Sequence, residues 1–299
     1  MRTLLLGANG QVGWELQRAL APLGEVVACD FDSPAPHTAD FSRPDTLAAL
    51  VQAVRPALIV NAAAHTAVDK AESEPDLARA LNATAPAVLA QQARASGALL
   101  VHYSTDYVFD GSGSTPRDET AEANPLSVYG RTKWEGEQAI QTSGCRHLIL
   151  RTSWVYAARG GNFARTMLRL AQERDELRVI DDQIGAPTGA DLLADVTAHA
   201  VRAIQHDPTL CGLYHCTASG QTSWHGYARL VIEHARAQEL PIRVAPEAIR
   251  PIATTEYPTP ARRPLNSRLD CAKLTDAFGL RLPPWEQGVR RMLTEILNR

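Results

Sequence analysis

Short apolar runs alternate with longer stretches of helical period through the first half of the chain. Runs at residues 2 to 6, 25 to 30, 57 to 61, 98 to 104 and 146 to 152 read as strands. Between them Leu47, Leu50, Val51 and Val54 keep a 3, 4, 7 spacing after Pro44, a good first-turn residue. Leu77, Leu81, Val88 and Leu89 mark another helical stretch. Past residue 155 the pattern loosens: helices are expected near 162 to 173, 190 to 205, 223 to 238 and 286 to 298, and an irregular stretch rich in Pro and Arg covers 241 to 268. The alternation predicts an α/β fold, a Rossmann-type doubly wound parallel sheet over 1–152 to which later segments, about 177–205, return. Residues 153–299 would form mainly a smaller, partly interleaved C-terminal substrate domain. No internal repeat or low-complexity segment interrupts this pattern.

Composition narrows the function classes. The 299 residues carry a formal net charge of -3, which gives no electrostatic footprint for a nucleic acid or an anionic membrane. The first apolar run, Leu4 to Leu6, is ended by Gly7, too soon for a signal peptide or a span, and no later run approaches membrane length. Five scattered cysteines read as reduced thiols of a cytoplasmic protein. Cys211, His215 and Cys216 cluster, but their spacing matches no zinc pattern and residues 212 to 216 read as a strand. The 30 basic residues comprise 27 Arg and three Lys, namely Lys70, Lys133 and Lys273, so a Lys inside a motif carries weight.

Directly after the first strand stand Gly7, Gly10 and Gly13, with a helical pattern following through Leu16 and Leu20. Glycines at this spacing suit a tight turn, a close approach to a pyrophosphate, and packing of helix on strand, while the helix start offers N–H groups to phosphate. Asp30, at the end of the second strand, stands where an acid commonly binds a ribose 2′-hydroxyl, which argues for NAD(H); it could also simply start the turn at 30 to 34. Arg43 leaves NADP(H) open. Asp40 and Phe41 are candidates to flank the adenine, and the small residues in the run from Asn61 through Ala63 and Ala64 to Thr66 would let the cofactor lie close. His65 by itself reads as structural.

Tyr129 and Lys133 lie four residues apart, on one face of a helix expected to begin near Pro125. With seven Tyr and three Lys in 299 positions, chance would produce such a pair roughly 0.07 times. A phenol with a pKa of about 10 exchanges protons poorly near neutrality, and a neighbouring cation is expected to lower it. Lys133 also suits the ribose hydroxyls of a nicotinamide. Tyr103, Ser104 and Thr105 end a strand, so the Thr105 hydroxyl would face the same crevice and donate to the substrate oxygen.

These elements, in this order, resemble the extended short-chain dehydrogenase/reductases. Within them the chain is similar, over nearly its whole length, to the dTDP-4-dehydrorhamnose reductase family. The similarity rests on GQVGWELQ at 10 to 17, NAAAHTAVDKAESEP at 61 to 75, HYSTDYVF at 102 to 109 and YGRTKWEGE at 129 to 137. It continues through RTSWVYA at 151 to 157, DDQIGAPTGADLLAD at 181 to 195 and YPTPARRPLNSRLD at 257 to 270. The resemblance implies reduction by NADH or NADPH of the C4 ketone of dTDP-4-dehydro-β-L-rhamnose, giving dTDP-L-rhamnose for a cell-surface polysaccharide such as the lipopolysaccharide O-antigen. It makes Tyr129 the proton donor, Lys133 its electrostatic and ribose-binding partner, and Thr105 the hydroxyl that tunes the site. Gly10, Gln11, Val12, Asp30, Asp40, Phe41, Ala64, His65, Thr66 and Tyr103 would line the cofactor; Asp106 and Trp154 would touch the sugar nucleotide.

Related 4,6-dehydratases carry Thr-Asp-Glu where this chain has Thr105, Asp106 and Tyr107, and a phenol is a poor substitute for that carboxylate, so simple reduction is favoured. Arg262, Arg263 and Arg268 lie in a segment that resembles the family's diphosphate loop, either as phosphate anchors or as a solvated basic loop. Asn162 reads as the N-cap of the next helix. Glu15, Asp191 and Glu295 match carboxylates of family members that dimerise around Mg2+, although Asp191 is one methylene shorter than the family's Glu; an Mg2+-linked homodimer and a monomer both stay open. The alternatives are an epimerase, or an epimerase/reductase, acting on another nucleotide sugar, and a silent cofactor-sensing subunit, which retention of both Tyr129 and Lys133 disfavours.

Overall fold

In the computed structural model, which describes residues 1–34 and 38–297, six parallel strands make the central sheet. They are β1 (Arg2–Leu6), β2 (Glu25–Cys29), β3 (Leu58–Asn61), β4 (Leu99–Thr105), β5 (His147–Thr152) and β6 (Gly212–His215), in the order β6-β5-β4-β3-β1-β2. Parallel neighbours need long crossovers, which is why helices fill the gaps between the apolar runs. Crossing from β2 on one side of β1 to β3 on the other reverses the winding, and such a reversal opens a crevice at the carboxyl ends of the strands.

Both faces of the sheet are covered. Leu5, Val60 and Val101 bury one face against α1 (Gln11–Leu20) and the returning α6 (Ala190–His206). Leu4, Ile59 and Leu100 bury the other against α2 (Asp45–Val54), α3 (Ala85–Ser96) and α4 (Val128–Ser143). A second apolar core joins α5 (Phe163–Glu173), α7 (Trp224–Ala237) and α8 (Trp285–Leu297) through Leu168, Tyr227, Val231, Trp285 and Leu293. The run around 212 to 216 is the sheet's edge strand, parallel to β5. No helix among the described residues is long and apolar enough to cross a membrane, and the five cysteines are free thiols.

Two helix boundaries differ from the expected ones for visible reasons. The stretch marked by Leu77 to Leu89 is interrupted at Ala80–Thr84 by a wider π turn. That turn lets buried Asn82 accept from the His65 backbone N–H at 2.8 Å and donate to the His65 carbonyl and the Thr132 hydroxyl. Helix α4 begins at Val128 rather than at Pro125 because Ser127 caps it, accepting from the Gly130 N–H at 3.1 Å. Asn162 caps α5 as expected, accepting from Arg165 N–H at 3.1 Å.

Beneath the carboxyl ends of β4 and β5 lies an ion pair sealed from water. Glu137 of α4 receives Arg151 of β5 through Nε at 2.9 Å and Nη2 at 2.6 Å, and the Ser104 hydroxyl also donates to Glu137. Arg151→Met leaves this buried carboxylate with no cation and only the Ser104 hydroxyl, and is expected to cost about 3 to 5 kcal/mol in urea unfolding. The double change Arg151→Met with Glu137→Leu should recover most of that loss; no recovery would show that the stranded carboxylate is not what costs the stability.

Candidate active site

The crevice predicted by the strand order is a cleft of ≈770 Å³. One end is built by the glycine turn. Gly7 has φ +81, and a methyl there would stand 2.6 Å from the Ala63 nitrogen; a methyl on Gly13 would collide with the Gly7 carbonyl. Gly10, Gln11 and Val12 line the cleft, whereas Gly13 serves helix-to-strand packing. No side chain caps α1 and no acid stands in its first turn, so its N–H groups and positive end are open to an anion.

Asp30 lines the cleft while its carboxylate accepts from the backbone N–H groups of Asn9 and Phe31, both at 2.8 Å. It therefore fastens the turn as well as facing a ligand. Asp40, Phe41, Ala63, Ala64 and Thr66 also line the wall. His65 does not: its ring is buried, with Nε2 3.5 Å from Glu74, because Asn82 clamps the backbone of this residue in a position that turns the side chain away from the cleft wall.

Tyr103, Thr105, Asp106, Tyr129 and Lys133 meet at the centre of the cleft. The Tyr129 phenol is pushed up to about 12, by burial first and by the Asp106 carboxyl next, against a hydrogen bond with Thr105. The expected lowering by Lys133 is absent, because Lys133 is turned toward the sheet: its Nζ donates to the Tyr103 carbonyl at 2.6 Å and lies 3.2 Å from His102 Nε2. Burial pushes Lys133 itself down to about 8, opposed by Glu137. Asp106 is pushed up to about 7 by burial, against hydrogen bonds from Ser267 and Thr105, and its second oxygen is buried without a partner. Both acid–base groups of the pair are thus poised by loss of water rather than by each other.

The far end is aromatic. Trp154 stacks on Trp224 with centroids 3.7 Å apart and planes within 14°, and its backbone is held at φ +49, a costly conformation for a bulky residue. Trp224 was not visible as a site residue in the sequence, since it sits at the start of an ordinary amphipathic helix. His102, Asn82, Glu137 and Arg151 were missed for another reason: each acts through a partner distant in the chain.

The Arg-rich segment is not turned to this cleft. Arg263 is tied to Asp69, with Nη1 at 3.0 Å and Nη2 at 2.7 Å, and also donates to Thr259. Arg262 is exposed, and Arg268 holds Gln221 at 2.6 Å. The strong carboxylate partner and the Thr259 hydroxyl together occupy the fork that the phosphate-anchor reading of this segment would need. The carboxylates aligned with a metal do not converge within the chain either. Glu15 pairs with Arg18 at 3.4 Å and Asp191 lies 3.6 Å from Arg291, and among the described residues no three His, Cys, Asp or Glu side chains are grouped to hold an ion. Glu15, Asp191 and Glu295 sit on three separate helices, α1, α6 and α8, and the first two carboxylates are each turned to an arginine.

Residues 1–298 match the RmlD substrate binding domain family. A curated dTDP-4-dehydrorhamnose reductase of Shigella flexneri is 57% identical, covering 100% of this chain and 99% of that protein, and one from Escherichia coli strain K12 is 56% identical with the same coverage. Among solved structures, a dTDP-4-dehydrorhamnose reductase from Clostridium acetobutylicum superposes with a TM-score of 0.88 at 36% identity, covering all of both chains. Another, from Bacillus anthracis in complex with NADP, gives 0.85 at 34% identity, covering 98% of this chain and 99% of the other.

The raised Asp106 carboxyl makes stability depend on pH. Between the ordinary carboxylate value and about 7 the folded protein holds a proton that the unfolded chain releases, so this group's contribution is full below the lower value and lost as pH rises through the upper. Asp106→Asn removes that dependence. Relative to the parent it should gain up to about 4 kcal/mol between pH 4 and pH 8, read from unfolding curves at both values. A constant difference across that range would mean the carboxyl is not held up.

Proposed function

The chain belongs to the RmlD substrate binding domain family, the family of the dTDP-4-dehydrorhamnose reductases, and from that premise we propose that it reduces the C4 ketone of dTDP-4-dehydro-β-L-rhamnose to dTDP-L-rhamnose. The observation that carries this reading is the convergence of Tyr129, Thr105 and Lys133 in a cleft whose other end is the open start of α1. The residues present fit a nicotinamide dinucleotide: the glycine cradle admits no side chain, and the uncapped helix start suits a pyrophosphate. When bound, that cofactor supplies the hydride.

The chain's own residues handle the proton. A Tyr129 phenol raised to about 12 is fully protonated at physiological pH, the correct state for delivering a proton to the oxygen of a ketone under reduction. Thr105 holds the phenol by a hydrogen bond and orients it, which lowers the entropic cost of reaching the transition state. A charged Lys133, brought to the ribose hydroxyls, would stabilise the phenolate left behind. Trp154, backed by Trp224, would face the sugar and help to keep water from it. The substrate lobe is drawn from the second core, and the reaction feeds transfer of rhamnose to a polysaccharide. No step is drawn through Mg2+; gel filtration with and without chelator tests whether two copies are joined by Glu15, Asp191 and Glu295.

One observation favours reduction over dehydration by the same scaffold. Tyr107 stands where an elimination base would be needed, and burial pushes its phenol above its ordinary value, so it does not accept a proton near neutrality. An epimerase would recycle its cofactor, so steady oxidation of NADH or NADPH by the dTDP-linked 4-keto sugar separates the two.

Tyr129→Phe is expected to lower kcat by roughly 10² to 10⁴ while cofactor binding by fluorescence persists; turnover near that of the parent would remove Tyr129 from the role. Lys133→Met should cripple turnover. Lys273→Met should leave it within about twofold, because Lys273 lies on the surface against the Leu213 carbonyl and the Tyr214 ring.

A further inference from the structure

Lys133 is one member of a buried row that no motif announces. Pairing of β3 with β4 sets Asn61 opposite His102, and all three side chains are shut off from water. Asn61 Nδ2 lies 3.0 Å from His102 Nδ1, and His102 Nε2 lies 3.2 Å from Lys133 Nζ. The direction of the row is set at its Asn61 end, where Oδ1 accepts from the Ala63 N–H at 3.1 Å. The amide therefore turns its NH2 toward the ring, so His102 Nδ1 is an acceptor and carries no proton.

A neutral imidazole with a bare Nδ1 has its proton on Nε2, pointing at the lysine nitrogen. An ammonium there would set donor against donor. Giving Nε2 the lone pair instead requires Asn61 to turn its NH2 onto the Ala63 N–H, another clash of donors. Protonating both ring nitrogens produces the same clash at Asn61. Only one arrangement satisfies every contact: His102 Nε2–H donates to an uncharged Lys133 amine, which donates in turn to the Tyr103 carbonyl.

We propose that in mildly alkaline solution Lys133 of the free enzyme is an uncharged amine accepting a hydrogen bond from His102, and that it takes up a proton from solvent when the cofactor binds. The inference rests on the reading of the cleft as a nicotinamide site. A diphosphate brings negative charge, and ribose hydroxyl oxygens give Nζ acceptors in place of the ring N–H; both favour the ammonium. His102 is then a positioning residue that favours the neutral amine until the ligand is in place.

The surrounding charges do not supply a competing partner. Glu137, one turn along α4, is paired with Arg151, and Tyr129, one turn back, is neutral. Asp106 beyond the end of β4 is held up by burial. Glu72 accepts from the Val128 N–H, Arg79 pairs with Glu135, and Arg94 donates to the Gly144 carbonyl. Burial acts on both members in the required direction, lowering Lys133 to about 8 and His102 well below its ordinary value.

Three lysines make the test direct. In protein labelled with carbon-13 at the lysine Cε, three resonances are expected, and Lys133→Met identifies the buried one. In the free enzyme that resonance should titrate near 8, and with saturating NADH or NADPH it should move above about 9.5. Calorimetry of cofactor binding at pH 8.5 in buffers of different ionisation enthalpy should show uptake of about 0.5 to 1 proton per chain; a phosphate with a second pKa near 6 is fully ionised there and adds nothing. In His102→Gln the side-chain carbonyl can accept from the ammonium, so the free resonance should move up and the uptake should fall below about 0.2. Cofactor binding without uptake, or a free Lys133 charged at pH 9.5, overturns the proposal and leaves the reductase intact. Unchanged uptake in His102→Gln removes His102 from it, and failure of both cofactors to bind overturns the reading of the cleft and this inference together.

Discussion

Keeping Lys133 dry is the constraint around which the centre of the molecule is arranged. A side chain that ordinarily carries charge sits in the first turns of α4, against the middle strand of a sheet covered on both faces. Three devices make that tolerable. The Tyr103 carbonyl and the His102 ring give the nitrogen directed partners. The buried Glu137–Arg151 pair one turn away gives a balanced charge environment rather than a bare carboxylate. The π turn at Ala80–Thr84 lets Asn82 tie α4, through Thr132, to the loop that lines the cofactor wall.

The same loss of water sets the acid–base chemistry. Tyr129 is raised, Lys133 lowered and Asp106 raised, each mainly by burial. All three shifts favour the neutral form: Tyr129 is uncharged at neutrality, while Asp106 and Lys133 are brought to titrate close to it, where a charged ligand can change their state. A phenol in this state gives up its proton only when something stabilises the anion left behind. That coupling ties proton delivery to occupancy of the site, which is the useful order of events for an enzyme that must not discharge its hydride to water.

Folding at the aromatic end follows a different logic. Trp154 is held in a left-handed backbone conformation, and its ring is pressed between Trp224 and Gly185, where a methyl would lie 2.8 Å from the indole. Strain at one residue is offset by stacking energy from a helix of the second core. This wall of the cleft is thus a joint product of both cores.

Much was legible in the chain itself. Period and spacing place the strands, the glycine turn and the Tyr129–Lys133 face, because those depend on residues near one another in sequence. The helix caps at Ser127 and Asn162 are local in the same sense, although Pro125 drew the expected start of α4 three residues too early. What the tertiary structure decided is everything set by burial and by partners far along the chain. It turned Lys133 toward His102 instead of toward Tyr129, aimed His65 at Glu74, joined Arg263 to Asp69 across 194 positions, and kept Glu15, Asp191 and Glu295 from converging within one chain. Spacing along a helix determines which side chains share a face; the water removed from that face, and the partners brought to it by other strands, determine their charge and direction.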